Sequence, residues 1–120
     1  MLFHYQIKNY YLYSQSTDMR NGLDALSGVV SNQLKRDPLS GDLYIFLNRR
    51  KNQLKLLHWQ GDGFAMYYKR LEKGTFELPL LNGGTSQQIS SEQLLFILQG
   101  VVLKTVRKHR RYTHQPVCNL

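Results

Sequence analysis

The acidic residues are the first place to look for catalytic chemistry, because metal-assisted cleavage needs carboxylates that converge on a cation. The chain has eight among its 120 residues: Asp18, Asp24, Asp37, Asp42, Asp62, Glu72, Glu77 and Glu92. Most fall where turns or helix starts are expected, and carboxylates there usually accept backbone hydrogen bonds. No DxD, ExK or HxH cluster occurs. Asp62 lies between two glycines, a pattern typical of a plain turn. The sequence therefore predicts no catalytic residues and no enzyme.

Nucleophiles and metal ligands are equally sparse. There is no G-x-S-x-G elbow and no phosphate-binding loop that ends in Gly-Lys-Ser/Thr. His109, His114 and Cys118 are separated by four and three residues, which resembles half of a zinc knuckle. Zinc prefers four ligands, and no second pair such as C-x-x-C exists. We predict no metal site and no cofactor.

The basic residues are the unusual feature, since 16 Lys and Arg face eight acids and give a net charge of +8. They form three sets. The first lies in a short polar loop: Arg49, Arg50 and Lys51. The second ends a predicted strand and continues into the next turn: Lys69, Arg70 and Lys73. The third lies near the carboxyl end: Lys104, Arg107, Lys108, Arg110 and Arg111.

Such a charge balance favours the binding of polyanions, because clustered Lys and Arg release condensed counterions when they bind phosphates. We expect the nucleic-acid contacts to come from the first two sets and from three members of the third: Arg107, Arg110 and Arg111. Two other interpretations stay open. The charged loops are either simply solvated, or they meet an acidic face of a protein partner.

Aromatic residues follow the predicted strands: Tyr44, Phe46, Trp59, Phe64, Tyr67, Tyr68 and Phe76. Aromatic rings on strands build stacking platforms for single strands, but they build hydrophobic cores more often. We therefore interpret most of them as core residues. Tyr68, beside Lys69 and Arg70, is the candidate for base stacking.

Hydrophobic spacing predicts the elements that position these groups. A helix is expected over residues 19–36, with N-cap candidates at 16–18, and a second helix between Ser90 and Gly100, where Ser90 and Gln93 fit a capping box. A short strand is expected at 11–13. Four more strands are expected as antiparallel hairpins at 43–47, 53–60, 64–70 and 75–78. The first of these is apolar on both faces, as in a covered central strand.

Together these elements predict an α+β fold, an antiparallel meander of about four to five strands packed with two helices. We expect one domain over residues 1–111 and a flexible tail over 112–120. In a meander, the loops after the first and third hairpin strands lie at one end, so the first two basic sets are expected to be neighbours. A single cysteine, short apolar runs and no recognisable signal peptide predict a cytoplasmic protein without a membrane partner.

The central block of the sequence is more specific. It carries TDMR from residue 17, DPLSGD from 37, NRRKN from 48, KLLHW from 55, GDGF from 61 and YKRLEKG from 68. In this order, over residues 11 to about 100, the motifs resemble the accessory protein of the second reading frame (TnpB type) of the IS-sixty-six class of bacterial insertion sequence. That protein is distinct from the RNA-guided nuclease of the same name.

The resemblance implies a role in transposition beside a separate transposase that carries the cutting chemistry. It implies no catalytic residues for this chain. Our first hypothesis is an accessory protein that binds DNA, such as the terminal repeats of the element, with low sequence specificity. The alternative is a protein adaptor that binds the transposase without contacting DNA.

Overall fold

The main sheet and two helices form the body of the protein in the computed structural model, which describes residues 6–102 and 107–108. The elements in chain order are β1 (Tyr10–Ser16), α1 (Leu23–Asn32), β2 (Leu43–Leu47), β3 (Gln53–Trp59), β4 (Phe64–Arg70), β5 (Ser86–Ile89), α2 (Ser91–Gln99), β6 (Val101–Val102) and β7 (Arg107–Lys108). The predicted tail over 112–120 lies outside the described residues.

The main sheet has five strands in the order β4-β3-β2-β1-β5. The predicted α+β fold is confirmed, but the wholly antiparallel meander is wrong. β1 and β2 run parallel, with Tyr10 opposite Leu43 and Leu12 opposite Ile45. The cause is α1, which carries the chain back along the sheet so that β2 restarts in the direction of β1. Only β2, β3 and β4 form the expected consecutive hairpins.

The outer strand next to β1 also differs from the prediction. Residues 75–78 form no strand; the Phe76 N–H donates to the Lys51 carbonyl at 2.8 Å. The strand is instead β5, where Tyr10 pairs with Ile89 and Tyr13 pairs with Ser86. Its sequence, Ser-Gln-Gln-Ile, carries one buried apolar residue. An edge strand with so few apolar residues leaves no alternating pattern to recognise.

β2 is covered on both faces, as expected, and all five of its residues are buried. On one face α1 packs against the aromatic residues Tyr11, Tyr44 and Phe46 through Leu26 and Val30. On the other face α2 completes a second, mainly aliphatic cluster formed by Leu12, Leu43, Ile45, Leu47, Leu54, Leu56, Leu71, Phe76, Ile89, Leu94 and Ile97. The sheet therefore separates two cores.

The second helix begins and ends as its sequence predicts. Ser90 accepts a hydrogen bond from the Gln93 N–H at 3.0 Å, and the Gln93 side chain accepts one from the Ser90 N–H at 2.8 Å. Gly100 ends the helix in the left-handed conformation, with φ of 77°, which glycine adopts without steric cost.

The first helix is shorter than predicted at both ends. Residues 17–22 form a loop instead of its first turn, and the helix ends at Asn32 rather than at residue 36, with Lys35 at a positive φ of 58°. Gly22 stands at the N-cap without a side-chain cap. The Asp18 carboxylate accepts from the Arg20 N–H at 2.9 Å and from the Arg20 guanidinium. A side chain that bonds to nearby backbone in this way competes with helix formation.

Lys55 holds this loop against the sheet. It lies in β3 and is only 8% exposed. Its Nζ donates to two backbone carbonyls of the loop, Met19 O and Asn21 O, both at 2.8 Å. Lysine is rarely buried without partners, so these two bonds are what permit its burial. They join residues more than 30 positions apart in the sequence.

We expect Lys55→Met to lower the free energy of unfolding by about 1–3 kcal/mol, because two carbonyls lose their donor while the apolar stem is kept. Urea denaturation measures this as a lower midpoint. Lys8→Met, at an exposed residue, is the matched control and should change stability by less than about 0.5 kcal/mol. Equal midpoints for both variants and the wild-type protein would contradict this role for Lys55.

Candidate nucleic-acid interface

The turn between β2 and β3, residues 48–52, is closed by its own hydrogen bonds. Asn48 Oδ1 accepts from the backbone N–H groups of Asn52 and Gln53, each at 3.0 Å. Asn48 Nδ2 donates to Asn52 Oδ1 at 2.7 Å. The Lys51 N–H donates to the Asn48 carbonyl at 3.1 Å. The backbone is thus fixed without the side chains of the three cations in the turn, all of which are exposed.

The end of β4 lies beside this turn, as hairpin geometry requires. Arg70 is opposite Gln53 in the register, and the Leu71 N–H donates to the Asn52 carbonyl at 2.8 Å. Arg70 also approaches Glu72, with 3.7 Å between Nη2 and Oε2. The first and second basic sets therefore meet at one end of the sheet.

The pleat divides the second set. Successive strand residues point to opposite faces, so Lys69 faces away from Arg70. Lys69 Nζ donates to the Leu98 carbonyl of α2 at 3.0 Å. Lys73 is exposed in the turn after β4. Of the third set, Arg107 lies in β7, whereas Arg110 and Arg111 lie outside the described residues.

An open groove of about 670 Å³ lies on the α1 side of this end of the sheet. One wall is the loop after β1, the other is the turn after β2, and β3 and β4 supply the floor. We call it the basic groove, and its residues are Ser16, Thr17, Asp18, Met19, Arg20, Asn48, Arg49, Arg50, Gln53 and Tyr68. It brings the first basic set together with a loop that the sequence did not associate with it.

The two walls differ in charge. Arg20 and Asp18 form a bidentate ion pair, with 2.6 Å between Nη2 and Oδ2 and 3.1 Å from Nε to each carboxylate oxygen. The Arg20 hydrogen bond lowers the pKa of Asp18 to about 2, so the pair is fully ionised and self-neutralised at neutral pH. Among the described residues, Arg49 and Arg50 form no ion pair with an acidic group. The turn therefore supplies the unneutralised positive charge.

Tyr68 lies on the floor and is 48% exposed. Its hydroxyl donates to Gln53 Oε1 at 2.7 Å, and Lys55 Nζ lies 5.7 Å from the ring centroid. The core interpretation is confirmed for Tyr44, Phe46 and Phe76, which are buried. The aromatic rings at Trp59, Phe64 and Tyr67 are partly buried. Tyr68 is the exposed exception.

Sequence reasoning missed two residues: Arg20, which lines the groove, and Lys55, which holds the loop that carries Arg20. Arg20 follows Asp18 by two residues, a spacing that allows a local ion pair, but the helix predicted over residues 19–36 includes it. Lys55 interrupts a run of leucines in β3. A lone cation within an otherwise apolar strand is a signal for a buried, fully hydrogen-bonded lysine.

The arrangement suits anion binding. Guanidinium groups on an ordered turn are good phosphate ligands, since Arg offers bidentate bonds. Within residues 6–102 and 107–108, no group of three His, Cys, Asp or Glu side chains is placed to hold a metal ion. In the same residues no helix is long and apolar enough to cross a membrane. One polar atom of the groove, Thr17 Oγ1, is buried without a hydrogen-bond partner among the described residues.

Comparison with known proteins places the chain in a family. Residues 8–108 match the family described as IS66 Orf2 like protein. The uncharacterised protein y4hO of Sinorhizobium fredii (strain NBRC 101917 / NGR234) is 39% identical over 85 residues, 71% of this chain and 73% of the relative. The uncharacterised protein y4jC of the same strain is 30% identical over 95 residues, 79% of this chain and 80% of the relative. No solved structure matches. The match over residues 8–108 shows that this chain belongs to the IS66 Orf2-like family of insertion-sequence accessory proteins.

Proposed function

We propose that this accessory protein binds DNA during transposition, without catalysis, and that the basic groove is its contact surface. The observation that carries the proposal is the pair of unneutralised guanidinium groups, Arg49 and Arg50, on a turn whose backbone is fixed by Asn48. Cations on a fixed backbone need less ordering when they bind phosphates than cations on a mobile loop do. Arg70 and Lys73 extend the same positive end of the sheet.

Low sequence specificity follows from the same geometry. Base reading in duplex DNA usually needs a helix or ribbon with polar side chains that enter the major groove. The exposed residues of α1 are Leu23, Asp24, Ala25, Ser31 and Asn32, which include an acid and no cation. The cations lie on turns and strand ends instead. We infer that the protein holds the backbone of the terminal repeats while the transposase reads and cuts them.

The adaptor function is the second candidate, and exposed leucines favour it. Leu80 is 84% exposed, Leu81 is 44% exposed, and Leu95 of α2 is 48% exposed. Exposed apolar side chains are common at protein interfaces. Capture of the transposase that survives nuclease treatment, by a protein that shows no DNA binding alone, would replace our proposal with this one.

We expect the double variant Arg49→Gln/Arg50→Gln to bind a terminal-repeat duplex roughly tenfold to a hundredfold more weakly, because two charge-assisted contacts are lost. The slope of log K against log salt should be near −5 for about six phosphate contacts. The double variant should be shallower by about 2. Filter binding across a salt series measures both quantities.

Lys8→Gln/Lys35→Gln is the matched control, since it removes the same charge at exposed positions outside the groove. It should leave both affinity and slope close to those of the wild-type protein. Equal losses in the two double variants would show that net charge, rather than the groove, drives binding. A flat salt dependence in the wild-type protein would overturn the phosphate model.

Asp18→Asn should strengthen DNA binding, in contrast to the double variant Arg49→Gln/Arg50→Gln. The amide keeps an oxygen that accepts from the Arg20 N–H, but it releases the guanidinium for phosphate. The salt slope should steepen by about 1 for the added contact. Asp62→Asn makes the same charge change in the turn after β3, outside the groove, and should have little effect. Weaker binding by Asp18→Asn would contradict the role given to the groove.

A further inference from the structure

Tyr68 is an aromatic side chain that the fold leaves uncovered. The cluster under α1 takes buried residues from β1, β2 and β3, whereas β4 contributes only the partly buried Phe64. Further along the same face of β4, Met66 is 37% exposed and Tyr68 is 48% exposed. The floor of the basic groove therefore carries an exposed aromatic ring beside the polar side chain of Gln53.

The ring is nevertheless held in place. Its hydroxyl is fixed by Gln53 Oε1 at 2.7 Å. The buried Lys55 ammonium lies over it, 5.7 Å from the centroid, and is itself held by two carbonyls. An exposed ring that is already ordered loses little conformational freedom when something stacks on it. Arg49 and Arg50 line the same groove, so positive charge flanks the ring.

We propose that the basic groove binds single-stranded DNA, with a base stacked on Tyr68 and the adjoining phosphates on Arg49 and Arg50. This inference rests on the proposed function, since it specifies which form of DNA the groove takes. In a duplex the faces of the bases are covered by their neighbours, so an aromatic floor contributes nothing to binding. In a single strand the faces are free, and stacking is tolerant of sequence because every base has one.

The test compares a labelled oligothymidylate with a duplex of the same length, using fluorescence anisotropy. The wild-type protein should bind the single strand more tightly. Tyr68→Leu keeps an apolar side chain but loses the ring, and should weaken single-strand binding by about 5- to 150-fold, the range for one base–aromatic stack. Its duplex affinity should fall much less than its single-strand affinity, because paired bases offer the ring no free face. Tyr68→Phe keeps the ring and should retain most of the single-strand affinity.

A second measurement uses the wild-type protein alone. An oligonucleotide carrying 5-iodouracil, irradiated in complex with the protein, should crosslink to Tyr68, as mapped by mass spectrometry of the digested protein. Crosslinks confined to other residues would overturn the inference. Equal affinity of the wild-type protein for both DNA forms, with no change in Tyr68→Leu, would also overturn it. The proposed function would then stand, with duplex DNA as a ligand. If the wild-type protein binds neither form, the proposed function itself fails.

Discussion

Lys55 joins the sheet to the loop that precedes α1, and much of the candidate site depends on that junction. The residue occupies β3 between leucines, where an unpaired ammonium group would be costly. Both of its observed acceptors, Met19 O and Asn21 O, lie in one non-helical loop. Burial of this one charge therefore ties the loop over residues 17–22 to the sheet, together with the hydrogen bond from the Thr17 N–H to the Leu47 carbonyl at 2.8 Å. The same loop leads into α1 and forms one wall of the basic groove.

The groove combines cations on a fixed turn with one acidic side chain of its own, Asp18. Arg49 and Arg50 extend from a turn that needs neither of them for its own hydrogen bonds. Opposite them, Asp18 neutralises Arg20. Such a site favours salt-sensitive, moderate binding over tight binding, because only part of its positive charge is free. That agrees with the function proposed above, in which the accessory protein holds DNA while a separate transposase cuts it.

Local signals made much of the fold predictable. The capping box and Gly100 defined α2, and the uniformly apolar β2 indicated a covered central strand. The turn residues located the hairpins on either side of β3. The parallel pairing of β1 with β2 was not predictable in this way, because it depends on how a crossover helix returns the chain. β5 was missed because its polar sequence carries little hydrophobic pattern.

The site was predicted in part for a similar reason. Hairpin geometry located Arg49, Arg50 and Arg70 at one end of the sheet, whereas the pleat placed Lys69 on the other face. Arg20 joins the groove because long-range contacts hold its loop against the sheet: the two hydrogen bonds of Lys55 and the bond from the Thr17 N–H to the Leu47 carbonyl. Long-range contacts of this kind leave only faint traces in a single sequence, such as one lysine among leucines.

The most direct test of the account is an NMR titration of the ¹⁵N-labelled protein with DNA. Binding in the basic groove predicts that the largest amide shift changes fall in residues 16–20 and 48–53 and at Tyr68. It predicts little change in α2 or around Leu80 and Leu81. Shift changes confined to α2 and those leucines, or no change at DNA concentrations that saturate binding in other assays, would contradict it.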